Sequence, residues 1–221
     1  MGTSSWITLE VAPANCVVSD VGSTKRFLAD AGSDERFIGG HPLAGAETAG
    51  VEHAREDLFE GATWYLTPAR GSTAGVLYER LHRLLTRFGA RPTAIDAGTH
   101  DRLMACVSHL PHVLAHAFVA ELAARDDAAT LFVHAGPGFG GFTRIAASSP
   151  EMWRDIALGN RDALLAEIDR FGSALGAMRA LVAAGDGPAL EALFSRARDA
   201  RIGWQAQREG GVDDGPDDGD A

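Results

Sequence analysis

An α/β segment followed by an all-helical one is the fold class this sequence predicts. Three observations carry the prediction. Strand-like and helix-like stretches alternate over residues 16–96, helical periodicity is almost the only pattern from Gly98 to Arg201, and the change falls at one place, just after Asp96.

In the first segment, Cys16–Asp20 is a short apolar run that reads as a strand, followed by a helical stretch at Thr24–Ala31. Arg36–Gly39 leads into an HPLAG turn. Trp64–Thr67 is strand-like and meets Pro68, which cannot donate to a ladder. Ser72–Phe88 places Val76, Leu77, Leu81, Leu84, Leu85 and Phe88 at helical spacing, and Gly89 stands where a helix hands over to the next element. Arg91–Ile95 reads as another strand. Such alternation predicts a parallel or mostly parallel sheet. In the second segment, helices are predicted over His100–Arg125, Pro150–Arg170, Ala174–Val182 and Pro188–Arg198. Pro111 lies inside the first of them, lacks an N–H and clashes with the Val107 carbonyl, so a distortion is expected beside Ser108 and His109.

The 221 residues are 46% hydrophobic, enough for one sizeable core or two small ones. Mean hydropathy is −0.04. No unbroken apolar run approaches the roughly 18 residues of a membrane span. The opening MGTSSWITLEVAP lacks the basic and apolar regions of a signal peptide. The expectation is a cytoplasmic protein with no membrane partner. Cys16 and Cys106 have no metal or redox spacing and are expected to be buried, reduced thiols. Net charge is −10, but residues 209–221 hold six acids and no base. This Gly/Asp/Pro-rich end predicts a disordered acidic tail over residues 205–221. The remainder is only mildly acidic and lacks the basic footprint that a nucleic-acid partner requires. The domain reading is therefore 1–96, 97–204 and the tail.

Four segments carry residue types suited to chemistry. In Asp20-Val-Gly-Ser-Thr-Lys25, Gly22 permits a tight turn and Ser23 and the helix start offer donors to a ligand. Taken alone, this segment reads more simply as a helix cap. In Gly39-Gly-His-Pro-Leu-Ala-Gly45, His41 ends a strand, where open α/β sheets place ligands, and its ordinary pKa near 6.5 suits proton transfer. A loop histidine bonded to backbone fits equally well. Ser108-His-Leu-Pro-His112, followed by His116, puts three histidines on one helix face. No Cys or acidic cluster accompanies them, so a polar pocket at the proline is preferred to a metal site. Gly136-Pro-Gly-Phe-Gly-Gly-Phe-Thr-Arg144 contains GxGxxG by letter only. It lies in the helical segment, and Arg161 rather than an acid stands 20 residues beyond its last glycine, Gly141. A mobile glycine loop presenting Arg144 to a carboxylate is the preferred reading.

Together the strings DVGSTK, RFIGGHPLAGAETAG, DLFEGATWYLTP, HDRLMACVSHLPHVLA and GGFTRIAASSPEMWRDI resemble the prephenate/arogenate dehydrogenase family, in the family's order, over roughly residues 16–200. The resemblance implies a Rossmann-type NAD or NADP domain followed by a helical domain that forms a homodimer. It implies oxidative decarboxylation of the small molecule prephenate to 4-hydroxyphenylpyruvate, a step of tyrosine biosynthesis. On the matching positions, His41 would accept the ring hydroxyl proton and Ser23 would hydrogen-bond the same hydroxyl. Gly22 and Ser23 would lie at the nicotinamide. Arg144 would hold a substrate carboxylate, with Ser108, His109 and His112 lining the pocket. Glu47 would stand at its rim, and Trp153 would pack by the Arg144 loop. The family opens with a strand, a glycine fingerprint, a helix and an acidic ribose-binding residue. Only 15 residues precede the CVVSD strand here, and none forms GxG. The expectation is therefore a partial sheet without its first βαβ unit, and weak or no dinucleotide binding. Arogenate, an amino-substituted prephenate analogue, or a non-catalytic role in binding an aromatic keto or amino acid all stay open at this point.

Overall fold

The structure, a computed structural model, describes residues 9–31, 34–45, 50–68 and 75–210. The first part builds one four-stranded sheet in the order β1 (Val18–Ser19), β2 (Phe37–Pro42), β3 (Thr63–Pro68) and β4 (Arg91–Ala94). Helix α1 (Arg26–Ala31) joins β1 to β2, and α2 (Val76–Arg87) joins β3 to β4. Both of these crossovers give parallel pairs, whereas β2 and β3 run antiparallel. The sheet is thus mostly parallel, with one antiparallel joint at its centre. Pro68 is the last paired residue of β3, opposite Ile38.

Alternation along β2 sorts its neighbours to opposite faces. Ile38 packs with Trp64, Leu66, Tyr78, Leu81, Leu85 and Ala90, so α2 covers that face. Phe37 packs with Val18, Leu9 and Leu28 on the other. Only the inward stripe of the predicted Ser72–Phe88 helix is buried, and residues 69–74 lie outside the described residues. Gly89 ends α2 with φ 75°, the left-handed conformation that glycine adopts without a Cβ penalty.

After Asp96, whose carboxylate caps the Thr99 N–H at 2.8 Å, the chain is helical: α3 (Ala97–Met104), a π-helical turn (Ala105–His109) and α4 (Leu110–Ala123). The distortion expected from Pro111 takes the form of this turn. Leu110 N–H donates to the Ala105 carbonyl, five residues back. An extra residue is accommodated before the proline, which stands in the first turn of α4 and lacks a donor.

The whole run Ala97–Ala123 is 27 residues with mean hydropathy 1.5 and is long and apolar enough, by length and composition, to cross a membrane. Its unbroken apolar runs are short, because polar residues are spaced through it. Three of those, His100, Asp101 and His109, are buried in contact with the rest of the first compact unit.

Helices α5 (Ala128–Val133), α6 (Pro137–Thr143) and α7 (Pro150–Gly159) follow, then α8 (Arg161–Ala184) and α9 (Gly187–Gly210). Three boundaries differ from the sequence reading. GPGFGGFT is not a loop: Pro137 opens a short helix and Arg144 begins a 3₁₀ turn, Arg144–Ala147. Proline is well suited to a first helical turn, and here that outweighs the low helix propensity of the glycines. The break predicted near residue 172 falls instead at Asn160, whose side chain leaves the helical path to make buried hydrogen bonds. Finally, α9 continues to Gly210, so residues 205–210 are helical rather than tail, and 211–221 lie outside the described residues.

Cys16 and Cys106 are free thiols but both are exposed, against expectation. Cys106 faces outward with Leu103 and Val107, which are 44% and 66% exposed. Residues from Asp169 onward form a separate compact unit, a helical pair that turns at Gly185 and is capped where Asp186 accepts the Ala189 N–H at 3.0 Å.

Candidate active site

Because β1 and β2 are parallel, their carboxyl ends lie side by side, the edge where open α/β sheets place ligands. The DVGSTK segment leaves β1 there, and His41 stands at the end of β2, opposite Tyr65. Asp20 ties the two together. Its carboxylate accepts the Gly22 N–H at 2.8 Å, the Gly40 N–H at 2.9 Å, and the Lys25 ammonium. Such close approach explains the glycines before His41. A Cβ on Gly40 would meet the Asp20 carbonyl at 2.5 Å and Ser19 Oγ at 2.9 Å. Lys25 is fully buried. Burial pushes its pKa down, opposed by the charge and hydrogen bond of Asp20 and the field of Asp101.

His41 is itself buried, with Nδ1 2.8 Å from His100 Nε2. His100 Nδ1 lies 2.7 Å from Asp101 Oδ1, and the His100 ring meets Tyr65 edge-on. Asp101 also accepts the backbone N–H groups of Lys25 and Arg26, at 2.8 and 2.9 Å. Burial alone would raise the Asp101 pKa, but hydrogen bonds from His100, Arg26 and Lys25 hold it below the usual carboxylate value. Burial, then the neighbouring His100, Lys25 and His109, push His41 down to about 3 against the pull of Asp101. At neutral pH His41 is therefore an uncharged imidazole with a lone pair on one ring nitrogen.

The π turn brings His109 inward. It is buried, and its Nδ1 lies 3.1 Å from Asn160 Nδ2, which also donates to the Asp101 carbonyl at 2.7 Å. An amide nitrogen only donates, so His109 Nδ1 accepts and its Nε2 carries the hydrogen. That Nε2 has no protein partner, and the same holds for Trp153 Nε1 and His116 Nε2. Burial is the first cause that pushes His109 down to about 4. One turn on, His112 donates from Nδ1 to the Ser108 carbonyl at 2.9 Å and stacks on Trp153.

The expected residues thus fall into groups. His41 is joined by Gly22 and Ser23 on the loop that Asp20 ties beside it. Ser108, His109, His112 and Trp153 form a second cluster, linked to the first through Asn160 and Asp101. Arg144 is exposed, on a turn that packs against α4. Glu47 lies outside the described residues. Among the described residues no group of three His, Cys, Asp or Glu is placed to hold a metal ion. Sequence reasoning missed His100, Asp101, Asp20, Lys25 and Asn160. The signal for the first two was present: an adjacent His-Asp pair at the start of an apolar helix has to be hydrogen-bonded if it is buried.

Residues 6–93 match the family profile described as prephenate dehydrogenase, nucleotide-binding domain, and residues 96–196 match the prephenate dehydrogenase dimerization domain. The crystal structure of A. aeolicus prephenate dehydrogenase in complex with hydroxyphenyl propionate and NAD+ superposes with a TM-score of 0.81 at 32% identity, over 88% of this chain and 69% of that one. This chain belongs to the prephenate dehydrogenase family. Prephenate dehydrogenase of Bacillus subtilis (strain 168) is 35% identical over 202 residues, and the chain spans 54% of its length. A Synechocystis arogenate dehydrogenase superposes with a TM-score of 0.72 at 28% identity, over 87% of this chain and 70% of that one. Family membership accounts for the two-part architecture, a four-stranded sheet followed by helices, and for the order of the motifs along it.

Proposed function

We propose that this chain acts in the oxidative decarboxylation of prephenate to 4-hydroxyphenylpyruvate, with NAD or NADP as hydride acceptor, as a homodimer. The observation that carries the reading is His41: a buried, uncharged imidazole at the carboxyl edge of the sheet, beside the loop bearing Ser23. The A. aeolicus complex with hydroxyphenyl propionate and NAD+ supports both ligand classes. Among the described residues, Gly22 and Ser23 suit the nicotinamide end of the cofactor, since their loop leaves β1 at the carboxyl edge of the sheet beside His41.

When bound, the nicotinamide supplies the hydride acceptor. His41 takes the proton of the ring hydroxyl as the carbinol carbon gives up its hydride, so the oxygen becomes a carbonyl. Ser23 hydrogen-bonds that oxygen and holds it toward His41. The ring carboxylate then leaves as CO2, its bonding electrons restore the aromatic ring, and the phenol oxygen recovers a proton. Arg144 binds a substrate carboxylate through a charge-assisted pair. His109 offers its Nε2–H, and Ser108, His112 and Trp153 line the pocket, with Glu47 at the rim. The exposed apolar side chains Leu103, Val107 and Phe118 on the long helix support a dimer built on the helical domain.

Steady-state formation of NAD(P)H from prephenate and from arogenate, by a form of the chain that carries the family's glycine-fingerprint segment ahead of it, tests the reading. His41→Asn is expected to lower kcat by about 10²–10⁴-fold with little change in KM, because asparagine keeps a hydrogen bond and cannot take the proton. Arg144→Ala is expected to raise KM first, since that contact exists from binding onward. Binding of hydroxyphenyl propionate without turnover of either substrate would favour a non-catalytic binding role instead.

A further inference from the structure

We propose that His100 and Asp101 are positioning residues that hold the hydrogen of His41 on Nδ1 and leave His41 Nε2 as the atom that receives the substrate proton. The inference deepens the function proposed above and rests on His41 being its base.

Asp101 accepts from three groups: the N–H of Lys25 on Oδ1, the N–H of Arg26 on Oδ2, and His100 on Oδ1 at 2.7 Å. A carboxylate surrounded by fixed donors is ionised and has nothing to donate. His100 Nδ1 therefore carries the hydrogen. In the neutral imidazole its other nitrogen, Nε2, is then a lone pair, and it faces His41 Nδ1 at 2.8 Å. Two lone pairs cannot share that distance, so His41 Nδ1 carries a hydrogen as well. What is left on His41 is an unprotonated Nε2.

The backbone donors keep Asp101 an acceptor toward His100. They belong to the first turn of α1, at the end of the DVGSTK loop, so the loop near the substrate hydroxyl also sets the orientation of the base. His100 is further held by its edge contact with Tyr65, the residue opposite His41 in the β2–β3 ladder. Asn160 pins the Asp101 backbone from α7. During reaction the hydroxyl O–H bond breaks and its proton binds His41 Nε2. The resulting imidazolium keeps its Nδ1–H on His100, and no proton moves to Asp101. The negative charge of Asp101 offsets the new positive charge at a distance, against Lys25, His100 and His109, which oppose it.

The relay is read without turnover by long-range ¹H–¹⁵N spectra of the ¹⁵N-histidine-labelled chain. The expected wild-type pattern at neutral pH is His41 with its hydrogen on Nδ1. A His41 protonated on Nε2 in the wild type overturns the proposal. Asp101→Ala removes the acceptor of the His100 Nδ1–H, so His41 is expected to lose its fixed Nδ1–H form. A folded Asp101→Ala chain with an unchanged His41 tautomer also overturns it.

Kinetics supply a second arm. His100→Gln can still accept from His41 and donate to Asp101, whereas His100→Leu can do neither. His100→Gln is expected to retain kcat at least tenfold above His100→Leu, with KM shared within about threefold. Equal losses of kcat in both variants, tracking loss of fold, would mark His100 as structural only and refute the positioning role. A chain with the expected tautomer that forms no NAD(P)H even with the family's glycine-fingerprint segment ahead of it would count against the proposed reaction while leaving the relay standing.

Discussion

His112 lies over the Trp153 indole with ring centroids 3.7 Å apart and planes 20° apart. The contact joins α4 to α7 at the point where the chain leaves the 3₁₀ turn of Arg144. It also orients His112, whose Nδ1–H is already committed to Ser108. Removing the indole by Trp153→Leu should cost about 0.5–1.5 kcal/mol beyond the loss of buried area. In the family reaction it should raise KM more than it lowers kcat, because it disturbs the pocket lining and not the base. Urea unfolding and steady-state kinetics check both halves. A kcat defect with unchanged KM would contradict the placement of Trp153 in the binding wall.

Gly40 offers a test of the sheet edge. A Cβ there would meet backbone at 2.5 Å, and the Asp20 carbonyl cannot swing away as a flexible side chain could. Gly40→Ala should therefore lower stability by about 1–3 kcal/mol, the usual cost of overpacking. It should also shift the His41 ring signals in NMR spectra. A variant as stable as wild type, with those signals unmoved, would show that the DVGSTK loop is not pressed against β2.

Acid should destabilise the chain well above the carboxylate range. Burial holds His41 down to about 3 and His109 to about 4. In the unfolded chain both titrate near 6.5. Between those values the unfolded chain binds more protons than the folded one, so stability falls as pH drops from about 6.5 toward 4. Each histidine contributes a slope of up to about 1.4 kcal/mol per pH unit in that window. Urea melts from about pH 7 to about pH 5 read the slope. His109→Gln should remove one proton's worth of it, and an unchanged slope in that variant would argue that His109 titrates normally.

Asn160 holds two buried acceptors at once, the Asp101 carbonyl and His109 Nδ1. Asn160→Ala leaves both without a donor and should cost about 1–3 kcal/mol for each group left unsatisfied. Asn160→Asp should behave differently toward His109. A carboxylate accepts rather than donates, so the His109 hydrogen should move to Nδ1. Thermal melts and histidine tautomer spectra separate the two effects.

The two exposed thiols report on assembly. Cys16 should react with a thiol reagent in the native chain. Cys106 shares its face with Leu103 and Val107 and should be protected wherever the helical domains pair. Val107→Glu should shift the chain toward monomer in sedimentation and expose Cys106 together. Protection of Cys106 in a proven monomer would place the dimer contact elsewhere.

The fold was legible in the sequence wherever one residue pattern dominated. Leu81 and Leu85 announce the face of α2, and Trp64 with Leu66 announces β3, because burial on one face imposes a period. The Asn160 break was not legible, since an asparagine between two apolar helical stretches looks like a solvated position until its partners are known. The Gly-rich α6 was hidden for the opposite reason: its composition argues for a loop, and only packing overrides it. At the site, His41 was found through its neighbouring glycines and proline. His100 and Asp101 escaped because their importance lies in pairings 59 and 76 residues away. The adjacent His-Asp pair signals a buried hydrogen bond but does not name those partners.

The π turn at Ala105–His109 has a consequence for how the long helix could change. A residue beyond a one-residue insertion is rotated by about 100° relative to an uninterrupted α-helix. His100 and Asp101 precede that offset, and His109, His112 and His116 follow it. The helix thus carries two faces in different phase, one keyed to the sheet and one to α7. Deleting a single residue such as Val107 would be the smallest possible edit, yet it would swing the three later histidines as a group, while His41 kept its neighbour.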